Sequence, residues 1–165
     1  MVRRKGPSLS PEFPHSIHKR GGWSGQWDRL SRWYQRVHES RGVDREEFLY
    51  AFFQNCASFR DWIHANRSPN VTKVTLEELV RSNTELSVCQ DISNGSKHFA
   101  LNDPKMPREF AMAREYVPAP LAGGVSAWSF VILSDGYKYD VVDLADTCYR
   151  LWQTFLRDHN LVPRA

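Results

Sequence analysis

Apolar residues recur at helical spacing along most of the first hundred positions of the chain. Between residues 26 and 41 they fall three or four positions apart, which predicts an amphipathic helix that Gly42 ends as a C-cap. A second helix is predicted where Asp44 and Glu47 form a capping box, and its wide apolar face is typical of the centre of a bundle. The apolar positions of these two helices are Trp27, Leu30, Trp33, Tyr34 and Val37, then Phe48, Leu49, Phe52, Phe53, Cys56, Phe59, Trp62 and Ile63.

A third helix is predicted after the Pro-containing loop at 66–70. Thr75 and Glu78 form a second capping box at its start, and the helix ends within the polar stretch CQDISNGSKHFAL at 89–101. Its apolar positions are Leu79, Val80, Leu86, Cys89 and Ile92.

Beyond Pro107 the pattern changes from helical to alternating. Residues 110–117 alternate in character, and the segments 127–133 and 137–142 flank the turn Ser134-Asp-Gly-Tyr, which predicts three short strands, two of them in a hairpin. A last helix is predicted with Asp143 as its N-cap. Its buried face is Leu144, Cys148, Leu151, Trp152 and Phe155.

The order of these elements predicts a mainly α fold. We expect a four-helix bundle with a small antiparallel three-stranded β-sheet inserted before the last helix. Residues 1–25 combine proline, glycine and basic residues with isolated apolar side chains, which predicts a flexible basic arm. A single domain is expected from 26 to 160, with the β insertion at about 108–142 and a tail at 161–165.

Charge and composition exclude several classes of protein. The chain has 22 basic and 19 acidic residues, and much of the basic excess lies in the arm. The charge of the domain therefore permits contact with phosphates without requiring it.

The cysteines at 56, 89 and 148 match neither a disulfide framework nor a zinc motif, which predicts reduced, buried thiols. The sequence has no apolar run of roughly 18 residues, no apolar signal-peptide core and no cofactor motif, so we expect a cytoplasmic protein with no cofactor, metal or membrane partner.

The polar stretch holds the candidate site, Asp91, Asn94, Lys97 and His98. Two local conformations are open. In one, Asn94 and Gly95 end the third helix in a left-handed conformation. In the other, the helix continues to about His98 and absorbs the cost of Gly95, roughly 1 kcal/mol, so that Asp91, Asn94 and His98 project from one face.

The residues 93–98, Ser-Asn-Gly-Ser-Lys-His, resemble the polar motif of the HEPN superfamily (higher eukaryotes and prokaryotes nucleotide-binding). That motif has an arginine, then an asparagine or another polar residue, three further residues and a histidine, late in a helix of a small bundle. Asn94 and His98 match it, and Ser93 stands where the family has arginine. The resemblance covers about residues 26–160 in helical order.

The resemblance implies a metal-independent ribonuclease or RNA-binding protein, often a dimer, of a bacterial defence or toxin system. His98 would transfer a proton from a ribose 2′-hydroxyl, while Asn94 would fix its tautomer or hold the phosphate. Lys97 is the nearby cation in the sequence, and it lacks the bidentate fork of arginine. Asp91 completes the candidate set.

Structural interpretations stand beside the catalytic one. The cluster would then only stabilise the third helix, and the protein would be a non-enzymatic interaction module that binds a protein partner through its sheet or its apolar helix faces. Arg60 and Asp61 are interpreted as part of a solvated helix face. The remaining helical histidines, His38, His64 and His159, are predicted to face solvent.

Overall fold

The described part of the chain is mainly helical, with a small sheet ahead of its last helix. The computed structural model describes residues 21–41, 43–66, 71–95, 110–118 and 127–163. The helices are α1 (Gly22–Glu39), α2 (Val43–Ala65), α3 (Lys73–Ser82), α4 (Thr84–Gly95) and α5 (Val141–Asp158); the strands are β1 (Phe110–Val117), β2 (Ala127–Ser134) and β3 (Tyr137–Asp140).

The first helix begins earlier than predicted. It starts at Gly22, so the last residues assigned to the flexible arm are helical, and the rest of that arm lies outside the described residues. Gly21 ahead of it has a φ of 81°, a left-handed conformation that glycine adopts without steric cost. The amide of the buried Gln26 then joins α1 to α2 by donating to Asn55 Oδ1 at 3.0 Å.

The predicted third helix is in fact two helices, so the described part of the chain has five helices. Asn83 has an extended backbone, and its side-chain amide donates to the carbonyl of Leu79 at 2.7 Å, while Ser82 Oγ donates to the carbonyl of Glu78 at 2.7 Å. The Asn83 amide thereby satisfies a carbonyl that α3 leaves without a helical partner. The apolar spacing carries no mark of this break, because both short helices bury one face.

The N-caps of two helices differ from the prediction by three residues. Thr72, not Thr75, caps α3 and accepts a hydrogen bond from the Thr75 amide at 3.1 Å. Asp140, not Asp143, caps α5 and accepts from the amides of Val142 and Asp143. Asp44 lies inside the first turn of α2.

The buried core follows the predicted stripe of α2, which packs against α1, α4 and α5. At its centre the ring of Phe59 lies 5.5 Å from that of Trp27 and 5.0 Å from that of Trp152. All three cysteines are free and buried here, as predicted. No described helix has both the length and the apolar character needed to cross a membrane.

The three predicted strands form an antiparallel sheet in the order β1-β2-β3. Asp135 and Gly136 connect β2 to β3 with φ values of 54° and 80°, the conformation that a two-residue hairpin requires. Asp140 ties this sheet to α5, because its second carboxylate oxygen accepts from Ser129 Oγ at 2.9 Å. The sheet and its place before the last helix therefore agree with the sequence.

Candidate functional site

The candidate site lies on the polar face of α4. With 3.6 residues per turn, Gln90, Asp91 and Asn94 lie within an arc of about 100°, and each is half-buried. The opposite side of the helix packs into the core with Leu86, Val88, Cys89, Ile92 and Ser93. The predicted sharing of one face by Asp91 and Asn94 is therefore present, because the core fixes the rotation of α4 about its axis.

Asn94 and Gly95 both belong to α4 and have helical, not left-handed, backbones. The described part of the helix thus follows the second of the two predicted conformations as far as Gly95. Lys97 and His98 lie outside the described residues. One carboxylate oxygen of Asp91, Oδ2, is buried, so this carboxylate turns partly toward the protein.

Arg60 of α2 reaches the same face of α4. Its Nη1 donates to Gln90 Oε1 at 3.3 Å, and its Nε donates to Asp61 Oδ1 at 3.3 Å. The Arg60 side chain is only 26% exposed, whereas that of Asp61 is 71% exposed. The interpretation of both residues as a solvated face is therefore wrong for Arg60, which lies against α4.

Gln90, which accepts a hydrogen bond from this guanidinium, lies one helical turn before Asn94. Residues four apart in a helix are neighbours, with about 5–6 Å between their Cβ atoms, so Gln90 and Asn94 stand one above the other. These two hydrogen bonds use two of the five N–H groups of the guanidinium. Arg60 is thereby hydrogen-bonded to the residue one helical turn before Asn94.

The position at which the HEPN motif has arginine is buried in this protein. Ser93 is 1% exposed and faces the core. A long cationic side chain there would place its charge in an apolar interior, which is strongly unfavourable without a partner. The cation on this face comes from α2 instead.

Of the other helical histidines, His38 and His64 are exposed as predicted, whereas His159 is half-buried. His38 Nε2 lies 2.8 Å from Asp146 Oδ1, which joins α1 to α5. His159 bonds through Nδ1 to the carbonyl of Phe155 and stacks on its ring, while His64 is exposed.

Sequence reasoning missed Arg60 and Gln90 as members of the site. Gln90 carried a usable signal, since it precedes Asn94 by one helical turn. Arg60 carried no signal in the sequence, because its contact with Gln90 depends on how α2 packs against α4.

Comparisons of the chain with protein-family models, with curated proteins and with solved structures returned no significant match.

Proposed function

We propose that the polar face of α4, together with Arg60, binds single-stranded RNA, and that His98 makes this face a metal-independent ribonuclease site. The observation that carries the proposal is the guanidinium of Arg60, held by Gln90 one helical turn from Asn94. A guanidinium and an amide side by side offer the donors that a phosphodiester accepts.

Phosphate binding at this face depends on side-chain cations. The C-terminal end of a helix carries partial negative charge, which disfavours an anion and favours cationic side chains. Arg60 and Lys97 therefore supply the attraction. Asp91 cannot bind a phosphate, and its buried Oδ2 suits a positioning role within the cluster.

The chemistry follows from the residue types. An imidazole that titrates near neutral pH can remove the proton of a ribose 2′-hydroxyl, whose oxygen then attacks the adjacent phosphorus and displaces the 5′-oxygen. Arg60 stabilises the negative charge that develops on the phosphate oxygens. Asn94 orients either the imidazole of His98 or the phosphate.

A relationship to the HEPN superfamily is part of the proposal. In this account α1, α2, α4 and α5 form a HEPN-like four-helix bundle, and α3 is an added short helix. The central position of α2 among the other three helices supports it, as does the placement of Asn94 at the described end of α4. A role as a homodimer in a bacterial toxin or defence system would follow.

Replacing Arg60 by alanine should weaken RNA binding about 10–150-fold at low salt, because a hydrogen bond between charged groups contributes about 1.5–3 kcal/mol. For single-stranded RNA each neutralised phosphate contributes about −0.7 to the slope of log K against log salt, so the slope should become less steep by about that amount. Fluorescence anisotropy with a labelled single-stranded RNA at several salt concentrations measures both quantities.

Arg157→Ala is the matched control. Arg157 Nε contacts Asp158 Oδ1 at 3.2 Å, the same geometry between neighbours that Arg60 makes with Asp61, but it lies near the end of α5. The control should leave the slope unchanged, and Arg60→Lys should keep the slope while losing part of the affinity. Equal effects of Arg60→Ala and Arg157→Ala, or salt-independent binding, would contradict the proposal and favour a protein-interaction module.

A further inference from the structure

The three cysteines, which are far apart in the sequence, meet in the core. Cys56 comes from α2, Cys89 from α4 and Cys148 from α5, and their Sγ atoms all lie within 4.8 Å of one another. Each residue is 0% exposed. None of them forms a disulfide, so three thiols from three different helices converge on one buried point.

Two of the thiols are oriented by backbone carbonyls. Cys89 Sγ donates to the carbonyl of Phe53 at 3.6 Å, and Cys148 Sγ donates to the carbonyl of Glu85 at 3.4 Å. Both sulfurs therefore keep their lone pairs for another partner. These bonds also fix the side-chain rotation of each cysteine.

The indole of Trp152 lies beside the third thiol. Its Nε1 is buried and forms no hydrogen bond within the described ranges, and its proximity to Cys56 favours the thiolate. Burial raises the pKa of Cys56, but the polar groups of Cys148, Cys89 and Trp152 around it more than offset this and lower the pKa to about 5. Burial raises the pKa values of Cys89 and Cys148.

We propose that Cys56, Cys89 and Cys148 form a three-coordinate binding site for Cu(I). Because the three Sγ atoms lie within 4.8 Å of one another, a metal ion at their centre would be at most about 2.8 Å from each sulfur. Metal–thiolate bonds are shorter, about 2.3 Å for zinc, so inward movements of a few tenths of an ångström close the site. Thiolate ligands select soft ions such as Cu(I).

Coordination number separates Cu(I) from zinc at this site. Structural zinc almost always has four ligands, and the potential ligand group contains only these three residues within the part of the chain that the structure describes. Cu(I) accepts three thiolates without a fourth ligand. The Trp152 N–H would then donate to a metal-bound sulfur, as groups around metal ligands commonly do.

Metal binding at this site releases protons, because a thiol coordinates as its thiolate. Each thiol that becomes a ligand loses its proton, so the affinity for Cu(I) should rise with pH. The site is enclosed by helices, so loading is expected to be faster during folding than in the folded protein.

The test uses reduced, full-length protein under anaerobic conditions, with Cu(I) supplied as its complex with the coloured chelator bathocuproine disulfonate. The ion is offered both to folded protein and during refolding from denaturant. We expect one Cu(I) per chain, withdrawn from the chelator more completely at higher pH. Cys56→Ala, Cys89→Ala and Cys148→Ala should each weaken binding at least about 100-fold, and Trp152→Phe, which keeps every thiol, about 10–100-fold.

Circular dichroism and thermal melting of each copper-free variant ensure that binding is compared only among folded proteins. Should one cysteine variant fail to fold, the other two and Trp152→Phe still decide the outcome. Failure to take up Cu(I) by either loading route would overturn the proposal. So would uptake that survives in the folded cysteine variants, or binding of Zn(II) without binding of Cu(I).

Discussion

A Phe59→Ala variant is expected to lose about 3–5 kcal/mol of its free energy of unfolding. Phe59 is 0% exposed, and its ring packs between Trp27 and Trp152, so truncation leaves a cavity that these large, constrained rings cannot easily fill. Because folded domains have a total stability of about 5–15 kcal/mol, this loss is a large fraction of the whole. Urea denaturation followed by circular dichroism measures it.

Two comparisons make the Phe59 result specific. Phe59→Leu keeps most of the buried volume and should cost less than about 1.5 kcal/mol. Tyr137→Ala removes an aromatic side chain that is 68% exposed on the hairpin and should stay within about 0.5 kcal/mol. If Phe59→Ala were no more costly than Tyr137→Ala, the packing of α2 against α1 and α5 would be wrong.

A His98→Ala variant is expected to lose about 10²–10⁴-fold in the rate of RNA cleavage, the usual contribution of a general acid or base. RNA binding should change far less, since the phosphate is held by Arg60 and Lys97. Cleavage of a labelled single-stranded RNA in the presence of a metal chelator measures the rate, and anisotropy measures the binding.

His38→Ala is the control for His98, because His38 lies on α1 beside Asp146 of α5, outside the proposed site. It should cleave as fast as the unaltered protein. A folded His98→Ala protein that cleaves at the full rate would remove the catalytic role. The cluster would then only stabilise α4, and the interaction module would be the better account.

Periodicity predicted the elements of this fold better than it predicted their ends. The apolar stripe of α2 and the alternation of apolar residues in β1–β3 each involve many positions, so the buried face of each element follows from local pattern. The end of a helix, in contrast, depends on a single capping residue. Asp140 and Asp143 are equally good caps in the sequence, and only the position at which β3 stops selects Asp140.

The candidate site was predictable only where it is local. Asp91 and Asn94 share a helix face because they are three residues apart, and this spacing can be read from the sequence. Arg60 reaches Gln90 on the same helix through the packing of α2 against α4, and no spacing in the chain encodes that contact. The same holds for the cysteines, which match no linear metal motif and yet meet in space.

The central claim is that RNA contacts the polar face of α4 and Arg60, and NMR titration of isotope-labelled protein with a short single-stranded RNA tests it most directly. The account predicts that the Nε–H signal of Arg60 and the side-chain amide signals of Gln90 and Asn94 shift together and saturate at one RNA per site. The exposed amide of Gln153 on α5 should not move. Shifts confined to other elements, or none at all, would contradict it.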